Sequence, residues 1–504
     1  MDAIGNLFFG IGIALEPINI VYCFIGVLVG TLIGVLPGIG PAAAVSLLLP
    51  VTFSMTPVSA VIMLAGIYYG AQYGGSTTSI LINIPGEAAS VVTCLDGYQM
   101  ARQGRAGPAL GIAAFGSFIG GTLSVVGLMF IAPPLATISL KFGPPEYFCL
   151  MCLGLTLLIY LASGSIIKAL IMACFGIIIG CMGQDPFSAS PRFVFGIPEL
   201  MDGIGLVPIV MGLFGISEVF LNIEQGLEKR DIFGVKIKNL LPSLQDWKNS
   251  IGPILRGSIA GFFIGVIPGG GVIIASFTSY AMEKKFSKHP ERFGTGMIEG
   301  VAGPETANNA ATGGALVPLL TLGIPSNVMM ALLLGALMIH GVAPGPLLIQ
   351  KNPEIFWGIV ASLYLGNAML LALNLPLIGL WVQVLKVPYK ILFPLILFFC
   401  LIGAYSVSNS TFDIGVMLLF GVLGYFMRKY DYEAGPFVLA YVLGPILETS
   451  LRQSLLMSKG SFSIFFTRPI AGGAIILSLF MLISSIFPAI RKRKRLMVLE
   501  ERIL

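Results

Sequence analysis

Hydroxyl and amide side chains are concentrated in two segments of this chain that are otherwise apolar. The first segment, residues 74–90, reads GGSTTSILINIPGEAAS, and the second, residues 305–327, reads ETANNAATGGALVPLLTLGIPSN. Neither segment contains Lys or Arg. A carboxylate bound there would have to be held by backbone amides, hydroxyls, Asn side chains and cations. The residue types therefore predict anion capture without a basic side chain.

The candidate substrate-binding residues come from these segments and from two Pro-Gly turns described next. They are Gly38, Gly40, Ser76, Thr77, Thr78, Asn83, Pro85, Gly86, Gly269, Gly270, Gly271, Asn308, Asn309, Thr312, Gly313, Pro325, Ser326 and Asn327. Glu87 and Glu305 are candidate Na⁺ ligands, because acidic residues within a membrane are functional by default. The alternative role of each Glu is to cap a helix, and that of the hydroxyl residues is to pack helices together.

One irregular motif occurs twice, and a polar segment follows each copy. Residues 30–40 read GTLIGVLPGIG and residues 261–271 read GFFIGVIPGGG, so seven of eleven positions are identical. Proline removes a backbone donor and glycine can adopt positive φ, so each copy is predicted to interrupt a helix in very apolar surroundings. Two broken helices in equivalent places predict a transporter core built from repeats.

Four helices are predicted to begin after these breaks, at Pro41, Gly86, Val272 and Ser326. Pro41 suits a first helical position, and Ser326 suits an N-cap. Each helix N-terminus carries roughly half a positive charge, so four directed inward would offset on the order of two negative charges. A tri-anion would need a bound cation as well, which is the reason for assigning Na⁺ ligands.

The composition is that of a polytopic membrane protein. Of the 504 residues, 56% are hydrophobic and 11% are charged, and the mean hydropathy is +0.93. A water-soluble fold could hardly bury so much apolar sequence in one core. The first basic residue is Arg102, so no cleaved signal peptide is expected. The predicted fold class is all-α, with re-entrant helical hairpins and broken transmembrane helices.

Several other functions find no support in the residues. Residues 269–271 are not followed by Lys-Ser/Thr, so a nucleotide-binding loop is not predicted. Cys149 and Cys152 form a C-x-x-C pair without a second pair or a nearby His, so neither a metal nor a redox site is expected. Because no nucleophile and base can be assembled, we expect no enzyme. We also expect no cofactor and no nucleic-acid partner.

Basic residues indicate the orientation. If the run at residues 491–495 is cytoplasmic, most other Lys and Arg residues also fall on the cytoplasmic side, and the N-terminus is periplasmic. Residues 252–283 are broken at Pro268 and have basic clusters on both flanks, so both ends are expected on the cytoplasmic side. Two full crossings need about 20 residues each. The stretch is too short for that and is predicted to form a re-entrant hairpin. Residues 18–55 lack basic flanks, so this hairpin is expected to enter from the opposite face.

The predicted organisation is therefore a pair of inverted repeats. It comprises a first inverted repeat over residues 1–228 (hairpin 18–55, broken crossing 57–101, scaffold spans 108–222), a cytoplasmic linker over 229–250, a second inverted repeat over 251–490 (hairpin 252–283, broken crossing 297–340, scaffold spans 355–490), and a basic cytoplasmic tail over 491–504. Within the second repeat, the i, i+4 spacing of Glu448 and Arg452 predicts an ion pair at a helix end.

Several irregular motifs, taken together and in order, resemble one known family. They are GVLPGIG at 34–40, YGG at 73–75, INIPGEAA at 82–89, LDGY at 95–98, QGR at 103–105, GVIPGGG at 265–271 and PETANNA at 304–310. Over essentially its whole length the chain resembles the large, TctA-like membrane subunit of the tripartite tricarboxylate transporters. The turn in that family often carries Asp where this chain has Glu87.

The resemblance implies a secondary transporter of about 12 spans in the bacterial inner membrane. It would import a tricarboxylate such as citrate by symport with Na⁺ or H⁺. Its implied partners are a small four-span membrane subunit and a periplasmic solute-binding protein. Contact with membrane lipid follows from the spans, and assembly as a homodimer is left open.

The expected mechanism is elevator-like alternating access. The two hairpins and two broken crossings would move, while residues 144–222 and 391–490 would form the scaffold and contact the small subunit. The alternatives are an anion-selective channel or permease, an H⁺-coupled carrier of another small organic acid, and a purely structural subunit.

Overall fold

The computed structural model describes residues 3–36, 40–161, 165–224, 240–385 and 389–500, and it confirms an all-α membrane protein. Within these residues the β-structure is a short antiparallel hairpin, in which β1 (Gly183–Gln184) pairs with β2 (Pro191–Arg192). The candidate residue Gly38 and the first part of the predicted linker, residues 229–239, lie outside the described residues.

The α-helices follow one another with short connections. In the first part of the chain they are α1 (Ala3–Ala14), α2 (Pro17–Val35), α3 (Pro41–Leu48), α4 (Pro57–Ile82), α5 (Val91–Arg102), α6 (Ala106–Ser139), α7 (Pro144–Leu161), α8 (Ile166–Gly180), α9 (Leu206–Val210) and α10 (Ser217–Glu224). A π-helical segment, Met211–Ile216, joins α9 to α10. Short 3₁₀ turns occur at Pro50–Ser54, Ala88–Ser90 and Pro198–Asp202.

The second part of the chain has the same character. Its helices are α11 (Leu244–Val266), α12 (Gly271–Phe286), α13 (Glu299–Leu322), α14 (Val328–Ile339), α15 (Leu348–Lys351), α16 (Pro353–Asn374), α17 (Ile378–Val384), α18 (Tyr389–Ser408), α19 (Thr411–Lys429), α20 (Ala434–Met457), α21 (Ile464–Thr467) and α22 (Pro469–Glu500). A 3₁₀ turn at Pro290–Arg292 precedes α13.

Seven of the described helices are long and apolar enough to cross a membrane by length and composition. They are Pro17–Val35, Ala106–Ser139, Pro144–Leu161, Leu206–Glu224, Pro353–Asn374, Thr411–Lys429 and Ala434–Met457. Helices α4 and α13, with 26 and 24 residues, are not among the seven although they are long enough. Their polar side chains lower the hydropathy of these two helices.

The first of two compact units comprises Met1–Leu140 and Gly205–Met427. Helices α4 and α13 lie inside this unit, because every residue from Ser59 to Leu81 and from Gly300 to Thr321 is buried. A helix that is buried on all sides need not present an apolar face to lipid. The first unit therefore buries the two helices that carry the polar segments.

Glycines bring the first helix of each predicted hairpin onto one of these buried helices. A Cβ atom at Gly26, Gly30 or Gly34 of α2 would overlap a backbone carbonyl of α4. In α11, a Cβ atom at Gly261 or Gly265 would overlap the carbonyls of α13 in the same way. Small residues at four-residue spacing allow such close helix contact in membranes. Part of the repeated sequence motif is thus explained by helix packing.

The second unit comprises Lys141–Ile204 and Arg428–Leu504. Helix α8 packs closely on α20, since a Cβ atom at Gly176 or Gly180 would overlap the carbonyl oxygens of Phe437 and Tyr441. Each unit draws helices from both predicted repeats.

Charged side chains of the second unit form a network beside the β-hairpin. The predicted pair of Glu448 and Arg452 is confirmed, with 2.7 Å between Oε1 and Nη2. Arg192 also contacts Glu448 at 2.7 Å, and Arg452 contacts Asp185 at 2.9 Å. Backbone N–H donation from Phe187, with further donors including Arg452, lowers the pKa of Asp185 to about 2.

Candidate functional site

The first helix break lies between α4 and α5. Helix α4 ends at Ile82, and Asn83 has the left-handed φ of 57°. The prediction that a helix begins at Gly86 is wrong, because a 3₁₀ turn starts at Ala88 and α5 at Val91. Gly86 lies instead where the loop crosses α2, and a Cβ atom there would overlap the carbonyl oxygen of Gly34. The break is therefore a packed loop.

The second break lies between α13 and α14. Helix α13 ends at Leu322 and is followed by Gly323 with φ of 69°. The prediction that Ser326 caps the next helix is wrong by one residue, because Asn327 Oδ1 accepts from the N–H of Met330 at 3.0 Å. The Ser326 hydroxyl donates back to the carbonyl of Ala315 at 3.4 Å. Both polar residues thus stabilise the break.

The Pro-Gly turn of the second predicted hairpin contacts this break directly. The N–H of Gly269 donates to the carbonyl of Ser326 at 2.8 Å. Gly269 and Gly271 adopt positive φ, of 79° and 54°. Helix α12 begins at Gly271, one residue before the predicted Val272. In the first hairpin, Gly40 precedes α3, which begins at Pro41 as predicted.

Glu305 of α13 is bound by hydroxyl groups from the first half of the chain. Ser76 of α4 donates to one carboxylate oxygen and Thr93 of α5 donates to the other. The side chain of Glu305 is 1% exposed. Asn309, one turn further along α13, donates to Ser117 of α6 at 2.8 Å. Glu305 of α13 is thus hydrogen-bonded to α4 and α5, the helices on the two sides of the first break.

Glu87 of the first break is bound by amide groups. Asn308 Nδ2 donates to Glu87 Oε1 at 3.2 Å, and the N–H of Ala89 donates to Oε2 at 2.7 Å. With its amide nitrogen turned toward the carboxylate, Gln72 donates to Glu87 Oε1 at 3.2 Å. Glu87 therefore caps the 3₁₀ turn and also contacts α13.

The two acidic residues have no salt-bridge partner among the described residues. Burial of a carboxylate is unfavourable unless it is neutralised by a proton or a cation, or is extensively hydrogen-bonded. Glu87 and Glu305 are both nine-tenths or more buried. The arrangement can therefore accept a proton or a bound cation, and we call these residues and their partners Ser76, Thr93 and Asn308 the carboxylate cluster.

Other candidate residues lie near the breaks with different contacts. Thr78 donates to the carbonyl of Val35 at 2.9 Å, and Thr312 donates to that of Asn308 at 3.1 Å. Gly313 packs so closely on Ser124 that a Cβ atom at position 313 would overlap the Ser124 hydroxyl. The remaining candidates of the breaks and turns differ in exposure: Asn83 is exposed, Pro85 is half-buried, and Thr77, Gly270 and Pro325 are buried.

Sequence reasoning did not single out Gln72, Thr93 or Ser117, and it included Asp96 only as part of the LDGY motif. Gln72 lies one turn before Ser76 on the same helix, which was an available signal. Asp96 accepts from the N–H groups of Gly294, Gly296 and Met297 and from the Tyr280 hydroxyl. It thereby ties α5 to the connection between α12 and α13.

The fold and the site together define a polytopic membrane protein with a buried polar centre at two helix breaks. Residues 20–439 match the model of the tripartite tricarboxylate transporter TctA family, so the chain belongs to this family and the resemblance of its motifs is confirmed. This is a family of transporters.

Two relatives from Agrobacterium vitis are similar to the chain. A protein described as "Uncharacterized 52.8 kDa protein in TAR-I ttuC' 3'region" is 50% identical over 501 residues, covering 99% of this chain and 100% of the relative. An "Uncharacterized protein in TAR-II ttuC' 3'region" is 48% identical over 241 residues, covering 48% of this chain and 100% of the relative. No solved structure matches the chain.

Proposed function

We propose that this protein is a secondary active transporter that imports a citrate-like carboxylate across the bacterial inner membrane. Transport is coupled to Na⁺ or H⁺. A periplasmic binding protein delivers the substrate, and a small four-span membrane subunit completes the carrier. The N-terminus is periplasmic and the C-terminus is cytoplasmic.

The observation that carries the proposal is the bonding between the two broken helices. Glu305 and Asn308 of α13 contact side chains on α4, on α5 and in the loop between them. Discontinuous helices that meet near the membrane centre are the usual place for substrate and ion sites in secondary transporters. The family membership supports the same function independently.

An anionic substrate would be held near the helix N-termini that follow the breaks. Helices α3, α12 and α14 begin at Pro41, Gly271 and Val328. Each N-terminus contributes free N–H donors and roughly half a positive charge. Because Glu87 and Glu305 would repel a carboxylate, binding requires that a cation or a proton neutralise them first. This order of binding would couple substrate import to the ion gradient.

The movement that we propose is elevator-like. The hairpins and broken crossings, residues 18–55, 57–101, 252–283 and 297–340, carry the site between the two faces as inverted repeats of a protein of about 12 spans. Two observations support this division: both hairpins pack through glycines on a buried helix, and both buried helices end in a break. The cavity beside the carboxylate cluster measures about 10 Å³, so a carboxylate substrate can enter only if helices separate.

Proton coupling, for the same or another small organic acid, is the second candidate. It is favoured by the two buried carboxyl groups that lack a salt-bridge partner within the described ranges. Protonation would neutralise Glu87 and Glu305 as effectively as Na⁺ would. An anion channel would instead show a flux that neither saturates with substrate nor depends on an ion gradient.

Uptake of labelled carboxylates into proteoliposomes tests the proposal. The vesicles contain this chain and the small membrane subunit, and the purified binding protein is added outside. We expect saturable uptake that disappears when the Na⁺ gradient is removed. Uptake that follows only a proton gradient would select the second candidate, and non-saturable flux without either gradient would refute coupled transport.

A further inference from the structure

A small cavity adjoins the carboxylate cluster, between α4, α6 and the end of α16. Its volume is about 10 Å³, and its polar wall consists of Tyr73, Ser76, Thr77, Ser117 and Asn374. All five side chains are at least nine-tenths buried. A space of this size holds a single particle such as one water molecule or one small ion.

Three hydroxyl groups in this wall donate their hydrogens to groups outside the cavity. Tyr73 donates to Asn367 Oδ1 at 2.6 Å, Ser76 donates to the Glu305 carboxylate, and Ser117 donates to the Glu305 carbonyl at 3.4 Å. A hydroxyl has one hydrogen and two lone pairs, and one lone pair of Ser117 already accepts from Asn309. What these groups can still offer to a particle in the cavity is therefore oxygen lone pairs.

Asn374 adds a further acceptor. Its side chain is 5% exposed, and its Nδ2 donates to the carbonyl of Leu370 at 2.9 Å. Its Oδ1 has no hydrogen-bond partner in the described part of the chain. A buried acceptor without a partner is rare, and a bound ion or water is the usual explanation.

We propose that this cavity binds one dehydrated Na⁺ ion through the oxygens of Tyr73, Ser76, Ser117 and Asn374. Apart from the Thr77 hydroxyl, the polar groups of the wall present acceptors, which suits a cation. The adjacent Glu305 supplies one negative charge through Ser76, which matches a monovalent ion better than a divalent one. Glu305 then neutralises the charge of the ion through its hydrogen bond with the ligand Ser76, without being a ligand itself. The inference rests on the proposed function only for the role of the ion in coupling, because binding can be measured without transport.

Binding of radiolabelled Na⁺ to the purified full-length chain in detergent, without substrate or partner subunits, tests the site. We expect saturable binding of one ion per chain that unlabelled Na⁺ competes and excess K⁺ does not. Absence of saturable binding would show that the cavity holds water and would overturn the proposal. Equal competition by K⁺ would overturn the assignment to a small dehydrated ion.

Two variants and a matched control locate the ion. Asn374→Ala and Ser117→Ala should each weaken Na⁺ binding by about tenfold, because each removes one ligand oxygen. Ser362→Ala removes a buried hydroxyl from the same helix as Asn374, but that hydroxyl donates to the carbonyl of Ile359 at 2.7 Å and does not line the cavity. An unchanged affinity in both variants, or an equal fall in the control, would contradict the site.

Carboxylate uptake by the assembled system separates this inference from the proposed function. If wild-type protein takes up carboxylate but binds no Na⁺, the cavity site is refuted and the transporter stands. If the purified chain binds Na⁺ but the assembled system takes up no carboxylate, the ion site stands and the proposed function is refuted.

Discussion

Acidic side chains in two regions of this protein have opposite surroundings. In the second unit, Asp185 and Glu448 are paired with Arg192 and Arg452 at distances of 2.7 to 3.7 Å. In the carboxylate cluster of the first unit, Glu87 and Glu305 are bound by hydroxyl and amide groups. Neither has a salt bridge within the described residues.

On the function that we propose, the difference separates a structural network from a functional one. Where arginines lie within contact distance, the charge is compensated inside the protein and no further ion is needed. Where only neutral donors surround a buried carboxyl group, the remaining charge can be compensated by a proton or a cation that arrives and leaves. We therefore expect substitutions in the carboxylate cluster to affect transport and those in the arginine network to affect stability.

A large effect is expected for Asn309→Ala. Asn309 donates to Ser117 and to the Glu305 carbonyl, at 2.8 and 3.1 Å. We expect carboxylate uptake to fall by roughly 100-fold, because both hydrogen bonds are lost in a buried site. Uptake is measured in proteoliposomes after normalising for inserted protein. In the control Asn222→Ala, the lost side chain donates only within α10, to Glu218, and uptake should be retained.

A smaller loss is expected for Glu87→Gln. The new side chain keeps an oxygen that can accept from the N–H of Ala89, but it removes the charge. We expect uptake to fall by roughly tenfold, and its dependence on the ion gradient to weaken, because there is less charge to neutralise. The control is Glu433→Gln, whose side chain makes no capping hydrogen bond at the start of α20. Equal losses in the two variants would refute the special role of Glu87.

The smallest effect on uptake is expected for Asp185→Asn, which should instead alter the pH dependence of stability. Because the pKa of Asp185 is lowered to about 2 in the folded protein, its ionised form stabilises the fold above the unfolded pKa of about 3.9. That stabilisation is lost as the pH falls through about 2. The difference in thermal stability between wild type and variant should be constant near neutral pH and shrink below about pH 4.

Thermal unfolding of both purified proteins, from neutral pH down to the lowest pH at which they remain soluble, measures this difference. A difference that grows on acidification would contradict the assigned sign. An uptake loss as large as that of Asn309→Ala would contradict the comparison between the two regions.

The helix breaks could be predicted from sequence because Pro and Gly act locally. Helix α3 begins at Pro41 as predicted, and α12 begins one residue before the predicted position. The errors at Gly86 and Ser326 concern capping, which depends on the side chain that reaches a particular N–H. Adjacent polar residues such as Ser326 and Asn327 compete for that position, and the sequence does not select between them.

The contacts of the carboxylate cluster and of the neighbouring Asn309 were harder to predict because they span 192 to 229 residues of chain. Thr93 and Ser117 are single hydroxyl residues in largely apolar segments, which is also the pattern of helix packing. Only the tertiary structure brings Thr93 to Glu305 and Ser117 to Asn309. Conversely, Gly30 and Gly261 belong to the repeated motif but serve helix contact rather than the break.

The most direct test of the central claim compares Glu305→Gln with Glu448→Gln in the same proteoliposome uptake measurement, across matched Na⁺ and proton gradients. Both substitutions remove one carboxylate, but only Glu448 is paired with arginine. Our account predicts that Glu305→Gln abolishes ion-coupled carboxylate uptake while Glu448→Gln retains it. Full coupled uptake by Glu305→Gln, or an equal loss in both variants, would contradict it.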